Sequence, residues 1–218
     1  MGTSSALALA LVLTIGAAGP ALAQSDAASP TSETRRINPE ECVSEPRPYD
    51  EIATTLELDG DGIPAPARTQ ISPPLGELAD AATASAIGDA ARHVIACFNA
   101  GDIPRGAALM TDNGLQRVFW GLTIDQENRD LAQVRIPGPP ERRADEFLIR
   151  ITAVTDVTML PDGRAAAFVV MSEPLLPPGG AETMLFVFAN EDGTWLLDDL
   201  IDFTIVSLNA GDQDEPAP

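Results

Sequence analysis

Asp199 is the side chain in this sequence that is best placed for proton-transfer chemistry. It lies in the apolar run 194–207, where strict alternation puts it on the same strand face as Leu197 and Ile201. A carboxylate among apolar neighbours can act as a general base, because desolvation raises its pKa. We favour the alternative, a β-bulge at Asp198-Asp199 that turns the carboxylate to solvent, because an unpaired buried carboxylate is costly.

His93 is the only histidine and could assist Asp199 from a predicted helix. A lone histidine on a helix is more often a surface or structural residue. Without a second histidine nearby, a zinc site has little support. The sequence also lacks a Gly-x-Ser-x-Gly elbow, a phosphate-binding glycine loop and a Cys-x-x-Cys motif, so we predict no metal and no cofactor.

Aromatic side chains offer a second kind of site, an apolar ligand pocket. The candidates are Phe98, Phe119, Trp120, Phe186, Phe188 and Trp195. They could line a pocket or fill a core, and core packing is the commoner use of aromatics at helix and strand spacing. Arg142 and Arg143 lie in a proline-rich loop and are most simply solvated charges.

The acidic sequence Asp59-Gly60-Asp61-Gly62 has the alternating carboxylates of a calcium loop. However, the twelfth position of such a loop is Gln70 instead of a bidentate glutamate. We therefore expect a simple acidic turn.

Two of these candidates, His93 and Phe98, lie in a segment that is predicted to be helical. Alanine-rich sequence with apolar residues every three or four positions predicts one long helix over 77–98. The sequence Asn99-Ala100-Gly101-Asp102 is typical of a helix C-terminus. Shorter helices are expected over residues 103–110, 115–122 and 125–134.

After about residue 146 the apolar period changes to two, which predicts strands. The predicted strands cover residues 148–160, 164–172, 184–189 and 194–207. The apolar face of the first comprises Ile149, Ile151, Ala153, Val157 and Met159. Glycines 163 and 193 mark the turns of two hairpins. Helices followed by four long antiparallel strands predict an α+β fold with one sheet face covered.

The first 23 residues have the features of a secretory signal peptide cleaved after Ala23. An uncleaved anchor is the competing interpretation, but the apolar run 6–18 is shorter than the ~20 residues that span a bilayer. We therefore expect a secreted, extracellular protein that makes no membrane contact after cleavage. Residues 24–76 are predicted to be a disordered spacer and an extended proline-rich arm whose only strand-like piece is 52–58, and residues 209–218 an acidic disordered tail.

The chain has only two cysteines, Cys42 and Cys97. An oxidising compartment would let them form a disulfide between the arm and the long helix. The alternative is two separate thiols.

Charge excludes some partners. The chain has 33 Asp and Glu against 13 basic residues, none of them lysine, and a formal net charge of −20. Nucleic acids and anionic membrane surfaces are therefore poor partners.

The order of these elements resembles the NTF2-like, or SnoaL-like, superfamily. The residues that carry the resemblance are 96–102, 162–164 and 192–197, and it covers about residues 79–208. Residues 41–47, together with Ala96-Cys97-Phe98-Asn99, are similar to secreted bacterial members without an assigned activity. The resemblance implies an NTF2-like (cystatin-like) cone over residues 77–208, with the long helix packed in a curved antiparallel sheet of about four strands.

Because the superfamily contains both enzymes and non-catalytic domains, the resemblance does not determine the function of this chain. We expect a secreted, non-catalytic domain that binds a small apolar molecule or a protein partner. The alternative is a SnoaL-like enzyme that abstracts a proton, as isomerases, cyclases and dehydratases do, with Asp199 as base. A third possibility is a homodimer formed through the open sheet face.

Overall fold

A computed structural model of the chain describes residues 35–65, 76–172 and 181–202. Within these ranges the helices are α1 Tyr49–Thr55, α2 Ala81–Ala100, α3 Ile103–Ala107, α4 Asp112–Phe119 and α5 Gln126–Arg135. The strands are β1 Arg35–Arg36, β2 Glu77–Leu78, β3 Arg150–Met159, β4 Ala165–Ser172, β5 Glu182–Glu191 and β6 Thr194–Asp202. Single 3-10 turns occur at Pro39–Glu41, Trp120–Leu122 and Asp145–Phe147. The α+β class is confirmed, whereas the proposed signal peptide and acidic tail lie outside the described residues.

All strand pairs in the described sheet are antiparallel, in the order β1-β3-β4-β5-β6. The two-residue strand β2 also pairs with β3, at the end opposite to β1. The β5–β6 turn has positive φ at both Asp192 (50°) and Gly193 (87°), and so has the glycine of the predicted β3–β4 turn, Gly163 (87°). Both predicted hairpins are therefore present, and their glycines adopt the left-handed backbone that a tight turn needs.

Helix α2 packs its apolar face against β3, β4 and β6. It begins later than predicted because residues 77–78 pair with β3 and Asp80 caps the helix, its side chain accepting a hydrogen bond from the Thr83 amide at 2.7 Å. It ends at Gly101, which has a left-handed φ of 64°. The buried residues of the helix recur at three and four positions: Ile87, Ala91, Val94 and Ile95.

The N-terminal arm is tied to α2 by the Cys42–Cys97 disulfide, so the predicted pairing is confirmed. Closing a loop across 55 residues restricts the unfolded chain. In the chain-entropy model that restriction contributes on the order of 4 kcal/mol to stability.

The strand-like interpretation of residues 52–58 is wrong, because the first part of this segment is helix α1. Its β-branched residues suggested a strand. Acidic Asp50 and Glu51 in the first turn favour a helix, and Ile52 and Leu56 are fully buried on one side of it. The arm is therefore part of the folded core.

The alternation predicted for β3 is broken by two register shifts, between Ile151 and Ala153 and between Thr155 and Thr158. As a result, Val154 replaces Ala153 on the face that packs against the main core. The opposite sheet face carries a separate small cluster, Leu160, Ala166, Leu185 and Val187. In the described part of the chain, no helix is both long and apolar enough to cross a membrane.

Candidate functional site

A cavity of about 260 Å³ opens at the C-terminal end of α2. It lies between the ends of α2, α4 and α5, helix α3, the turn after α4 and the loop 136–143. Apolar side chains from four of these elements form its wall: Phe98, Ile103, Phe119 and Leu122. We call this space the helix-end cavity.

Two of the wall residues are among the aromatics selected from the sequence, Phe98 and Phe119. Their ring centroids are 6.3 Å apart with planes inclined by 33°, which is within the usual range for interacting aromatic rings. Both rings are only half-buried. They therefore keep part of their surface available to a molecule in the cavity.

Charged side chains complete the lining. Asp102 is held by Arg105, whose backbone amide and guanidinium each donate to one carboxylate oxygen at 3.1 Å. Arg135 makes an ion pair of 3.3 Å with Glu141. The half-buried Arg143 also lines the cavity, so its interpretation as a simple solvated charge is wrong.

Asn99 fixes the position of the loop that carries Arg143. The Asn99 side chain is fully buried; it donates to the carbonyls of Ile37 (3.3 Å) and Ile149 (3.0 Å) and accepts from the Ile149 amide (2.9 Å). Its own carbonyl accepts the Arg143 amide at 3.0 Å. One residue therefore joins the arm, the start of β3 and the cavity loop to the end of α2.

Gly101 allows the cavity loop to approach α2 closely. A Cβ at this position would lie 2.1 Å from the carbonyl oxygen of Glu141, and the residue has a left-handed φ. Only glycine meets both demands without strain. The sequence marked Asn99 and Gly101 as a helix end, but their contacts to residues about 40 or more positions away left no local signal.

The other predicted pocket aromatics lie outside this cavity. Phe186 and Phe188 are fully buried in the main core, whereas Trp120 and Trp195 are half-buried against it. None of the four lines the helix-end cavity. Their role in ligand binding stays a prediction.

The bulge predicted at Asp198-Asp199 is present, as a register shift in the pairing of β6 with β5. Asp199 is opposite Val187, whereas Leu197 is opposite Phe188 on the other sheet face. The expectation that Asp199 shares a face with Leu197 is therefore wrong, because the extra residue reverses the alternation.

The bulge does not expose Asp199, which is 8% accessible. Its Oδ1 is 3.7 Å from Nε of Arg117 on α4 and accepts the Leu200 amide at 2.8 Å. Neighbouring Asp198 accepts from the Thr111 hydroxyl at 2.7 Å and from the Arg164 guanidinium at 2.8 Å. Both carboxylates thus have a positive partner, which offsets the cost of burial.

His93 is exposed on α2. In the described ranges, no hydrogen bond or ion pair joins it to Asp199, and neither residue lines the helix-end cavity. The structure therefore does not bring the two predicted catalytic residues together. Their catalytic role stays a prediction.

A second, wider groove of about 630 Å³ lies between α1, the start of α4 and the β5–β6 hairpin. Polar and apolar residues contribute about equally to its lining, and the charged ones include Arg47, Glu51, Asp112 and Asp198. The Arg47 guanidinium bonds to Asp112 and lies 3.6 Å from Glu51, so these charges already pair with each other. This groove is less suited to an apolar ligand than the helix-end cavity.

The described ranges contain no group of three or more His, Cys, Asp or Glu side chains that could hold a metal ion. The acidic turn at residues 59–62 packs on α5, where Asp61 and Asp59 accept hydrogen bonds from Arg129 and Gln133. No family model, curated protein or solved structure matches this chain.

Proposed function

We propose that this chain is a secreted, non-catalytic domain of the NTF2-like type that binds a small apolar molecule in the helix-end cavity. The observation that carries the proposal is the half-buried apolar wall formed by Phe98, Ile103, Phe119 and Leu122. Secretion is supported by the Cys42–Cys97 disulfide, since such bonds persist in oxidising compartments.

The size and composition of the cavity suit a small ligand. Ligand pockets are concave, mostly apolar, and contain a few polar groups that orient the bound molecule. At about 260 Å³, the helix-end cavity is near the small end of the usual range of roughly 300–1,000 Å³. Its ligand is therefore a compact molecule.

The enzyme alternative has weaker support. A general base must reach a bound substrate, whereas Asp199 is 8% accessible, lies near Arg117 and lines neither cavity. Its Oδ1 also accepts the Leu200 amide, so the carboxylate is already engaged by groups of the protein.

A protein partner is the other possible ligand. Exposed apolar side chains on or beside α5 would serve such a partner: Ile124 (55% accessible), Leu131 (49%) and Val134 (71%). Single exposed apolar residues are common on protein surfaces, so these three residues are weaker evidence for a protein partner than the cavity is for a small ligand.

Filling the cavity tests the proposal. Replacing Ile103 with Phe adds bulk to the wall, so we expect at least tenfold weaker binding of 3-phenylpropan-1-ol and octan-1-ol, measured by calorimetry. The matched control is Leu131→Phe, which enlarges an exposed side chain outside the cavity and should leave both affinities unchanged. Equal affinities for wild type and a folded Ile103→Phe variant would contradict the proposal.

A further inference from the structure

The lining of the helix-end cavity is less acidic than the chain as a whole. The chain carries 33 acidic and 13 basic residues, yet two arginines, Arg135 and Arg143, line this one small space. Two acidic residues, Asp102 and Glu141, also line it. The net charge of the lining is therefore balanced, and a third arginine, Arg105, is bonded to Asp102.

The two acidic residues do not present equivalent groups to a ligand. Both oxygens of Asp102 accept hydrogen bonds from Arg105, and its side chain is only 11% accessible. Glu141 is 73% accessible and makes one ion pair, 3.3 Å to Arg135. Exposed ion pairs contribute little, so another carboxylate can replace Glu141 beside Arg135 at small cost.

Arg143 is the second arginine of the lining, and its Nη1 donates to the Phe147 carbonyl at 3.5 Å. The Arg143 backbone amide donates to the carbonyl of buried Asn99 at 3.0 Å, which fixes the backbone of Arg143 at the end of α2. A guanidinium donates several hydrogen bonds in a planar fork that matches a carboxylate. Both arginines therefore line the same cavity as the aromatic and aliphatic wall residues.

The volume sets the size of the part of a ligand that the cavity can enclose. At about 260 Å³ it suits a small organic molecule. A phenylpropanoate or an eight-carbon fatty acid has about this size. The tilted rings of Phe98 and Phe119 suit the apolar end of either molecule.

We propose that the ligand of the helix-end cavity is a small monocarboxylic acid, bound as its carboxylate by Arg143 and Arg135 with its apolar body against Phe98 and Phe119. This inference rests on the function proposed above, because it specifies the ligand class of the same cavity. The overall negative charge opposes anions mainly at long range. At about 0.1 M salt that repulsion is screened beyond roughly 10 Å.

Calorimetry of two matched ligand pairs tests the inference: 3-phenylpropanoate against 3-phenylpropan-1-ol, and octanoate against octan-1-ol, at pH 7 and physiological salt. We expect each acid to bind at least tenfold more tightly than its alcohol. In Arg143→Gln the ratio of the affinity for each acid to that for its alcohol should fall at least threefold, because Arg135 alone then faces the carboxylate.

The matched control is Arg142→Gln, which removes the same charge from the neighbouring residue. Arg142 pairs with Asp145 at 2.8 Å and does not line the cavity, so this variant should retain the preference for acids. Arg135→Gln provides an independent variant if Arg143→Gln does not fold, and it should also weaken binding of the acids alone.

The outcomes separate the two proposals. If acids and alcohols bind with equal affinity, or if Arg142→Gln and Arg143→Gln behave alike, the carboxylate inference is overturned and the apolar cavity stands. If neither ligand pair binds to the folded protein, the proposed function is overturned together with this inference.

Discussion

At the scale of single residues, Asn99 organises the surroundings of the helix-end cavity. Its side chain satisfies backbone groups of Ile37 and Ile149, and its carbonyl holds the Arg143 amide. The sequence identified Asn99 only as part of a helix end. Its partners in the arm and in β3 are 62 and 50 positions away, so no local pattern could reveal them.

We predict that Asn99→Ala lowers the free energy of unfolding by about 3 kcal/mol, because it leaves several buried backbone groups without a partner. Asn113→Ala is the matched control. Asn113 is exposed and makes one side-chain hydrogen bond, to the Asp198 carbonyl, so its loss should cost less than about 1 kcal/mol. Urea unfolding of both variants would measure the difference, and equal losses would contradict the role given to Asn99.

Among the elements, the segment before α4 forms backbone hydrogen bonds with the edge strand β6. The Leu197 amide donates to the Leu109 carbonyl (2.9 Å), and the Thr111 amide donates to the Leu197 carbonyl (3.0 Å). The Thr111 hydroxyl also accepts the Gly114 amide at the start of α4. Helix α4 therefore docks directly on the strand that carries Asp198 and Asp199.

We predict that Gly114→Ala destabilises the protein by about 2–3 kcal/mol, because its Cβ would lie 2.0 Å from the Leu197 carbonyl oxygen. Gly121→Ala is the control, since a Cβ there has no neighbour within 4 Å. Thermal unfolding should show a marked loss for the first variant and almost none for the second. A Gly114→Ala variant as stable as wild type would refute this account of the α4–β6 contact.

Periodicity predicted elements well where one face is buried and the backbone is regular. It identified the four long strands, their two turns and α2, but it missed the two bulges of β3, because one extra residue reverses the faces that follow. The bulge of β6 was predicted, whereas the burial of Asp199 beside it was not. It also failed for α1, where tertiary burial outweighs β propensity. The helix-end cavity joins distant segments, so only its aromatics could be selected in advance.

At the scale of the whole molecule, acidic side chains stabilise turns and helix starts. Backbone hydrogen bonds from Thr83 and Asn128 lower the pKa of Asp80 and Asp125, which cap α2 and α5. A hydrogen bond from the Arg164 side chain lowers the pKa of Asp162, and Arg164 also reaches Asp198 on β6. Part of the negative charge is therefore used in specific contacts.

The lowered pKa of Asp162 predicts how its contribution depends on pH. The ordinary pKa of an aspartate is about 4, and that of Asp162 is lower in the folded chain. The unfolded chain therefore takes up a proton at Asp162 before the folded chain does as the pH falls. The contribution of Asp162 to stability is complete above about pH 4 and is lost on acidification. The stability difference between wild type and Asp162→Asn should therefore shrink as the pH falls below about 4. Urea unfolding between pH 7 and 3 would measure it; a constant difference would contradict the linkage.

The central claim is that the helix-end cavity binds a small apolar molecule. The most direct measurement is an NMR titration of the protein with 3-phenylpropan-1-ol, a probe without charge. We predict saturable shifts centred on Ile103, Phe119 and Leu122, with Phe186 and Phe188 in the main core little affected. Shifts confined to the exposed residues of α5, or no saturable shifts at all, would contradict it.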